Sequence, residues 1–191
     1  MSEQAYCISW FWRRRKTNNP ISKDEARRRH EKREEYSVAI GGFEKPSIIV
    51  EVVNHMVAVT FLDTMLRMVQ TFKFQEKEPN RLFLTMAIYS TYCEATEATV
   101  TRMEAGRKQP DQPWAQFLAD ADRVIEGTSL VFEADNSVLK QYERFADPYD
   151  FREAKFHWET ISLWEPYPKF GHYDHLLKPR DLPWGPGLDD M

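Results

Sequence analysis

Cysteine and glycine are both scarce in this chain. Among 191 residues there are two cysteines, Cys7 and Cys93, and seven glycines. Two isolated thiols exclude a disulfide framework and a cysteine-based zinc module, and they predict a reducing compartment, the cytoplasm. The glycines form no GxGxxG, Walker loop or GxSxG elbow, and HExxH is missing too, so the common nucleotide-binding, hydrolase and zinc-protease signatures are excluded. No apolar stretch approaches the ~20 residues of a membrane-spanning helix. Residues 8–12 are too short for the apolar part of an export signal, and Arg13, Arg14, Arg15 and Lys16 follow that run rather than precede it.

Aliphatic residues are only just sufficient. Leu, Ile, Val and Phe total 43 of 191, slightly above the ~20% level below which charged chains stay unfolded. Six Trp and eight Tyr add to the core that can form, because each large ring buries roughly 150–250 Å². This length predicts one domain with appended ends.

The net charge of −4 conceals a division. Residues 1–45 hold 11 basic against 7 acidic residues (+4), and residues 46–191 hold 15 against 23 (−8). An acidic body is a poor platform for nucleic acid, which needs clustered positive charge. It is better suited to a basic protein partner.

Three regions follow from the pattern. Residues 1–35 read as a basic arm and a charged helix, with Ser22 as N-cap and Glu25 completing a partial capping box. That helix has almost no apolar stripe, which predicts a surface position and a solvated His30. From Tyr36 the period changes to two. Strands are predicted at 36–40, 48–53, 56–62, 66–75, 81–93, 128–133, 137–145 and 151–162, forming a mainly β (α+β) antiparallel meander that curves into a sandwich or partly open barrel over 36–163. The strand at 81–93 lacks a polar face and is expected at the centre of the sheet. One or two helices are expected within 95–127. The segment 164–191 contains Pro166, Pro168, Pro179, Pro183 and Pro186, so it is expected to wrap over the body without joining the sheet, with one short helix at 173–178.

Candidate chemistry is sparse. His172 and His175, with Asp174, have ligand-like spacing, but no further ligand is identifiable from spacing, so no metal and no cofactor is expected. His157 with Glu159 is the other acid–base candidate, and cross-strand pairing explains it equally well. Asp63 and Arg67 fit a turn cap better than a site. Cys7 has no local His to activate it. No catalytic residue is assigned, and a small-ligand binder in the mouth of the meander and a His/carboxylate enzyme stand as alternatives to a protein-binding role. The run Trp10–Trp12 with its basic tail reads as an edge strand or docked arm, and Trp164, Tyr167 and Phe170 as either a binding epitope or a lid on the protein's own core.

Two stretches carry a resemblance. Val59-Thr60-Phe61-Leu62-Asp63 through Arg81-Leu82-Phe83-Leu84-Thr85, and Trp164-Glu165-Pro166-Tyr167-Pro168-Lys169-Phe170-Gly171-His172-Tyr173 with Arg180-Asp181, resemble small bacterial proteins encoded beside polymorphic toxins and regarded as their immunity partners. The resemblance implies a cytoplasmic inhibitor that binds one toxin domain and blocks its active site or substrate access. The residues expected at that surface are Glu133, Asp135, Tyr142, Glu143, Asp147, Tyr149 and Asp150, with Trp164, Tyr167 and Phe170.

Overall fold

The protein's computed structural model describes residues 3–92, 124–132, 137–144, 149–152, 156–157 and 163–178. The chain is mainly β, as its alternation predicts. It begins with β1 (Gln4–Phe11), a 3₁₀ turn (Trp12–Arg14), β2 (Lys16–Pro20) and one α-helix, α1 (Lys23–Glu31). Then come β3 (Tyr36–Ile40), β4 (Ile48–Val53), β5 (Met56–Leu62), β6 (Met68–Glu78), β7 (Arg81–Tyr92), β8 (Val124–Phe132), β9 (Ser137–Arg144), β10 (Tyr149–Arg152), β11 (Phe156–His157) and β12 (Trp164–Pro166).

All pairings are antiparallel within one sheet, ordered β10-β9-β8-β7-β6-β5-β4-β3-β1-β2, with β11 beside β9 and β12 beside β7. The meander is therefore continuous from β3 to β10. Its end strands, β2 and β10, do not pair with each other, so the sheet stays open rather than closing as a barrel among the described residues.

Turn chemistry explains the short connections. Asn54 takes φ +52° between β4 and β5, where Val53 faces Met56 across a two-residue turn, and Asn is one of the few side chains that tolerates this region. Between β5 and β6, Asp63 accepts the backbone N–H groups of Met65 and Arg67, both at 2.9 Å, and the Arg67 Nε at 2.6 Å. It is the turn cap its sequence suggests.

The sheet buries both faces near β3, all five residues of which are buried. On one face Tyr36, Val38, Val50, Val52, Val57, Val59, Phe72 and Phe74 pack beneath Ala26 of α1 and beneath Leu163, Tyr173 and Leu176. On the other, Ala39 and Ile49 pack with Trp10 and Leu66. The β1 strand is interior, held between β3 and β2, so Trp10 is a core residue rather than part of a sheet edge. Arg15 ends this arm at φ +46° and donates from its buried guanidinium to the Met65 carbonyl at 2.9 Å.

Several sequence expectations are corrected. Val124 and Ile125 begin strand β8 and do not end a helix; the remainder of the predicted helical insert, 95–123, lies outside the described residues. Of the expected strand 151–162, Phe151 and Arg152 lie in β10 and Phe156 and His157 in β11; the remainder lies outside the described residues. Tyr173 to Lys178 forms turns, not a helix. Despite its prolines, the C-terminal segment does join the sheet: Trp164, Glu165 and Pro166 pair with Phe83, Leu82 and Arg81. This costs no ladder bond at the proline when its nitrogen points away from the partner, as edge strands permit. No described helix is long and apolar enough to cross a membrane.

Candidate functional site

The densest cluster of polar and aromatic side chains lies where α1 and residues 163–178, hereafter the strap, close over β3. Ser22 caps α1 by accepting the Glu25 N–H at 3.1 Å. The helix then divides its residues by environment. On the outer side Glu25 binds Arg28 and Arg29, and Arg28 binds Glu34, each at 2.8 Å. These hydrogen bonds, that of Arg28 foremost, hold the Glu25 carboxyl down at about 2.

The inner side carries Ala26 and His30. His30 is not the solvated residue its charged neighbours suggest: its Nδ1 lies 2.8 Å from the Tyr36 hydroxyl, and its ring packs against Tyr36, Tyr167 and Phe170. Tyr36 in turn lies 3.0 Å from the Tyr173 hydroxyl. The Pro168 carbonyl lies near enough to His30 to favour its charged form, and the Gly171 backbone does the same for Tyr173.

A neutral imidazole protonated at Nε2 leaves Nδ1 to accept from Tyr36, and Tyr36 then accepts from Tyr173; the Pro168 carbonyl near His30 and the Gly171 N–H near Tyr173 fit that sense. Burial lowers the His30 pKa and the nearby Arg33 adds to the shift, against the opposing effects of Glu31 and the Pro168 carbonyl. Burial likewise pushes Tyr36 far up and Tyr173 up to about 12.

The strap is fastened by further contacts along its length. Trp164 lies 5.1 Å from the Phe83 ring, with the Arg81 guanidinium 4.6 Å above its own. The Arg33 guanidinium sits 3.5 Å over the Tyr167 ring, and Arg27 5.4 Å over Phe170, which stacks on Tyr6. His175 Nε2 is 3.0 Å from the Pro166 carbonyl. Trp164, Tyr167 and Phe170 therefore pack on the protein's own body, as a lid does.

Two open clefts flank this cluster. One, about 450 Å³, is lined by Arg33, His55, Glu76 and Asn80. Here Glu76 accepts from His55 Nδ1 and the Asn80 N–H, both at 2.8 Å, and from Arg33 at 3.3 Å. Burial tends to raise its pKa, but the bonds from His55 and Asn80 and the charge of Arg33 outweigh it and leave a net lowering. Glu76 thus ties two hairpins and the end of α1 together. The other cleft, about 440 Å³, lies between α1, β1 and the strap.

Of the residues expected at a partner surface, Tyr142 and Glu143 lie on β9, and Tyr149 and Asp150 on β10, with Asp150 directly opposite Glu143 and Phe151 opposite Tyr142. Glu133, Asp135 and Asp147 lie outside the described residues, as does Glu159. His157 pairs in register with Ser137 on β11 and β9. Among the described residues, no three His, Cys, Asp or Glu side chains converge as a metal site would require. Cys7 is buried, which pushes its thiol up to about 11.

Sequence reasoning missed His30, Tyr36, Tyr173 and Glu76. The one available signal was aromatic density in the strap, which could be read as lid or epitope. Comparison with known proteins adds no assignment: no family model, curated protein or solved structure matches this chain.

Proposed function

We propose that this is a binding protein that inhibits one partner by direct contact, an immunity protein that neutralises a basic bacterial toxin domain in the cytoplasm. The observation that carries this reading is the register of β9 with β10. It gathers Tyr142, Glu143, Tyr149 and Asp150 onto the last two strands of the sheet path and sets Glu143 directly across from Asp150. Like charges at directly opposing positions disfavour strand pairing, an opposition that a cationic partner would relieve.

The acidic balance of residues 46–191 supports the same reading, since net negative charge speeds encounter with a basic domain and aromatic anchors slow its release. Among the described residues β10 pairs on one side alone, and its other side offers backbone groups to an added strand. The test uses the toxin domain encoded by the neighbouring gene and measures affinity by calorimetry at two salt concentrations. Charge reversal by Glu143→Lys with Asp150→Lys is expected to weaken binding at least roughly tenfold and flatten its salt dependence, while thermal stability holds, since one like-charge pair replaces another. Unchanged affinity in that variant would overturn the assignment.

A further inference from the structure

The cleft between α1, β1 and the strap has charge of one sign only. It is lined by Lys23, Arg27, His172, Gln4, Phe170 and Gly171, among others, and no lining residue is acidic. Its volume, about 440 Å³, lies within the roughly 300–1,000 Å³ range of small-molecule sites. Neighbouring cations on α1 are consumed differently: Arg28 and Arg29 pair with Glu25 and Glu34, whereas neither Lys23 nor Arg27 forms an ion pair with a described carboxylate.

Helix stability does not explain this placement. Lys23 and Arg27 are four residues apart and so share a face, where like charges repel. Both lie in the first turns of α1, the end at which the helix dipole disfavours cations. Two unpaired positive charges are therefore held in a concavity against both local preferences.

The rest of the cleft is built to stay in place. Arg27 rests over Phe170, a contact that orients the guanidinium and uses none of its five N–H donors. Gln4 spans the floor, donating from Nε2 to the Gly171 carbonyl at 3.2 Å and accepting the Tyr6 hydroxyl at 2.7 Å. Its polar atoms are satisfied by the protein itself. The unused donors are those of Lys23, Arg27 and His172, a set matched to an oxyanion with several acceptor atoms.

We propose that this cleft binds a dianionic phosphate group, with Arg27 as the forked donor, Lys23 as the neutralising charge and His172 as the third contact. The site uses no residue of β9 or β10, so it stands independently of the inhibitor reading. Because Phe170, Gly171 and His172 belong to the strap, the cleft exists only while the strap is docked. A bound phosphate group therefore favours the docked strap by mass action.

The test titrates the full chain at constant ionic strength with inorganic phosphate, with phenyl phosphate and with acetate, by calorimetry and by amide chemical shifts. One equivalent of phosphate or phenyl phosphate is expected to bind with Kd near or below about 1 mM, and hydrogen exchange at residues 169–176 is expected to slow. Tighter binding of phenyl phosphate assigns an organic phosphomonoester, and tighter binding of inorganic phosphate assigns the free ion. Lys23→Ala with Arg27→Ala should weaken either at least roughly tenfold. Arg27→Lys, which keeps the charge and loses the fork, should give an intermediate loss and serves as the control for folding. Absence of saturable binding, equal affinity for acetate, or undiminished binding in the double variant would overturn the proposal.

Discussion

Replacing Tyr36 by Phe removes one oxygen and disconnects two residues at once. The Tyr36 hydroxyl lies within hydrogen-bond distance of both His30 Nδ1 and the Tyr173 hydroxyl; with the imidazole protonated at Nε2 it donates to the first and accepts from the second, so the variant leaves an acceptor on His30 and a donor on Tyr173 without partners. Tyr36 and Tyr173 are 0% and 1% exposed, which keeps water from replacing the lost contacts. At about 1–3 kcal/mol for each stranded buried group, and with His30 only half-buried, the expected loss is about 2–4 kcal/mol. Tyr173→Phe leaves only a lone pair on Tyr36 without its partner. The double variant loses the shared Tyr36–Tyr173 bond once, so its cost should fall below the sum of the two single variants. Urea unfolding followed by tryptophan fluorescence measures all three against the parent, with the m-value checking that the transition itself is unaltered. A Tyr36→Phe cost below about 0.5 kcal/mol, or strict additivity in the double variant, would refute the directed chain of hydrogen bonds, since independent residues add.

Acid should destabilise the protein in two stages. His30 has a lowered folded pKa, so its contribution is complete above the unfolded value of ~6.5 and declines as pH falls from there through the folded value. His30→Gln, which keeps an acceptor toward Tyr36 and a donor toward Pro168, should flatten that stage in pH-dependent urea unfolding; an unchanged slope between pH 7 and 5 would contradict a buried neutral imidazole. Glu76 is also lowered, so its contribution is present above the ordinary carboxylate range and lost as pH falls through its folded pKa. Glu76→Gln should cost about 1 kcal/mol at pH 7 from mismatched donors and should remove part of the lower stage. In a Cys93→Ser background, Cys7 should react with a thiol reagent at pH 8 at least ~100-fold more slowly in the native protein than in urea, because burial and a thiol pKa near 11 leave little thiolate. Comparable rates would show that β1 is not held between β2 and β3.

Local patterning made most of the sheet legible. The hairpin at Asn54-His55 was readable because β4 and β5 alternate cleanly and Asn accepts a positive φ. What escaped was set by distant partners. The placement of β1 beside β3 depends on a match such as Tyr6 with Val38, across a helix and two turns, and β12 is too short at three residues for any period to register. His30 was misread because its neighbours in sequence are charged while its neighbours in space are Tyr36, Tyr167 and Phe170. Composition reports polarity, but only the tertiary environment decides whether a polar group is hydrated or enclosed. For the acidic pair, the turn signal Asp147-Pro148-Tyr149-Asp150 pointed to a reversal but ran too far, because Tyr149 and Asp150 already belong to β10; only the register supplied the opposition of Glu143 to Asp150.

The Tyr36–Tyr173 bond joins positions 137 residues apart, and this separation has a cost during synthesis. A nascent chain already holding α1 and β3 must wait for the strap to leave the ribosome before His30 and Tyr36 are covered. Contacts of such long range slow folding and prolong exposure of unfinished surface. The interval between translating Tyr36 and translating Tyr173 is therefore when this protein most needs a chaperone, and the strap's arrival ends it.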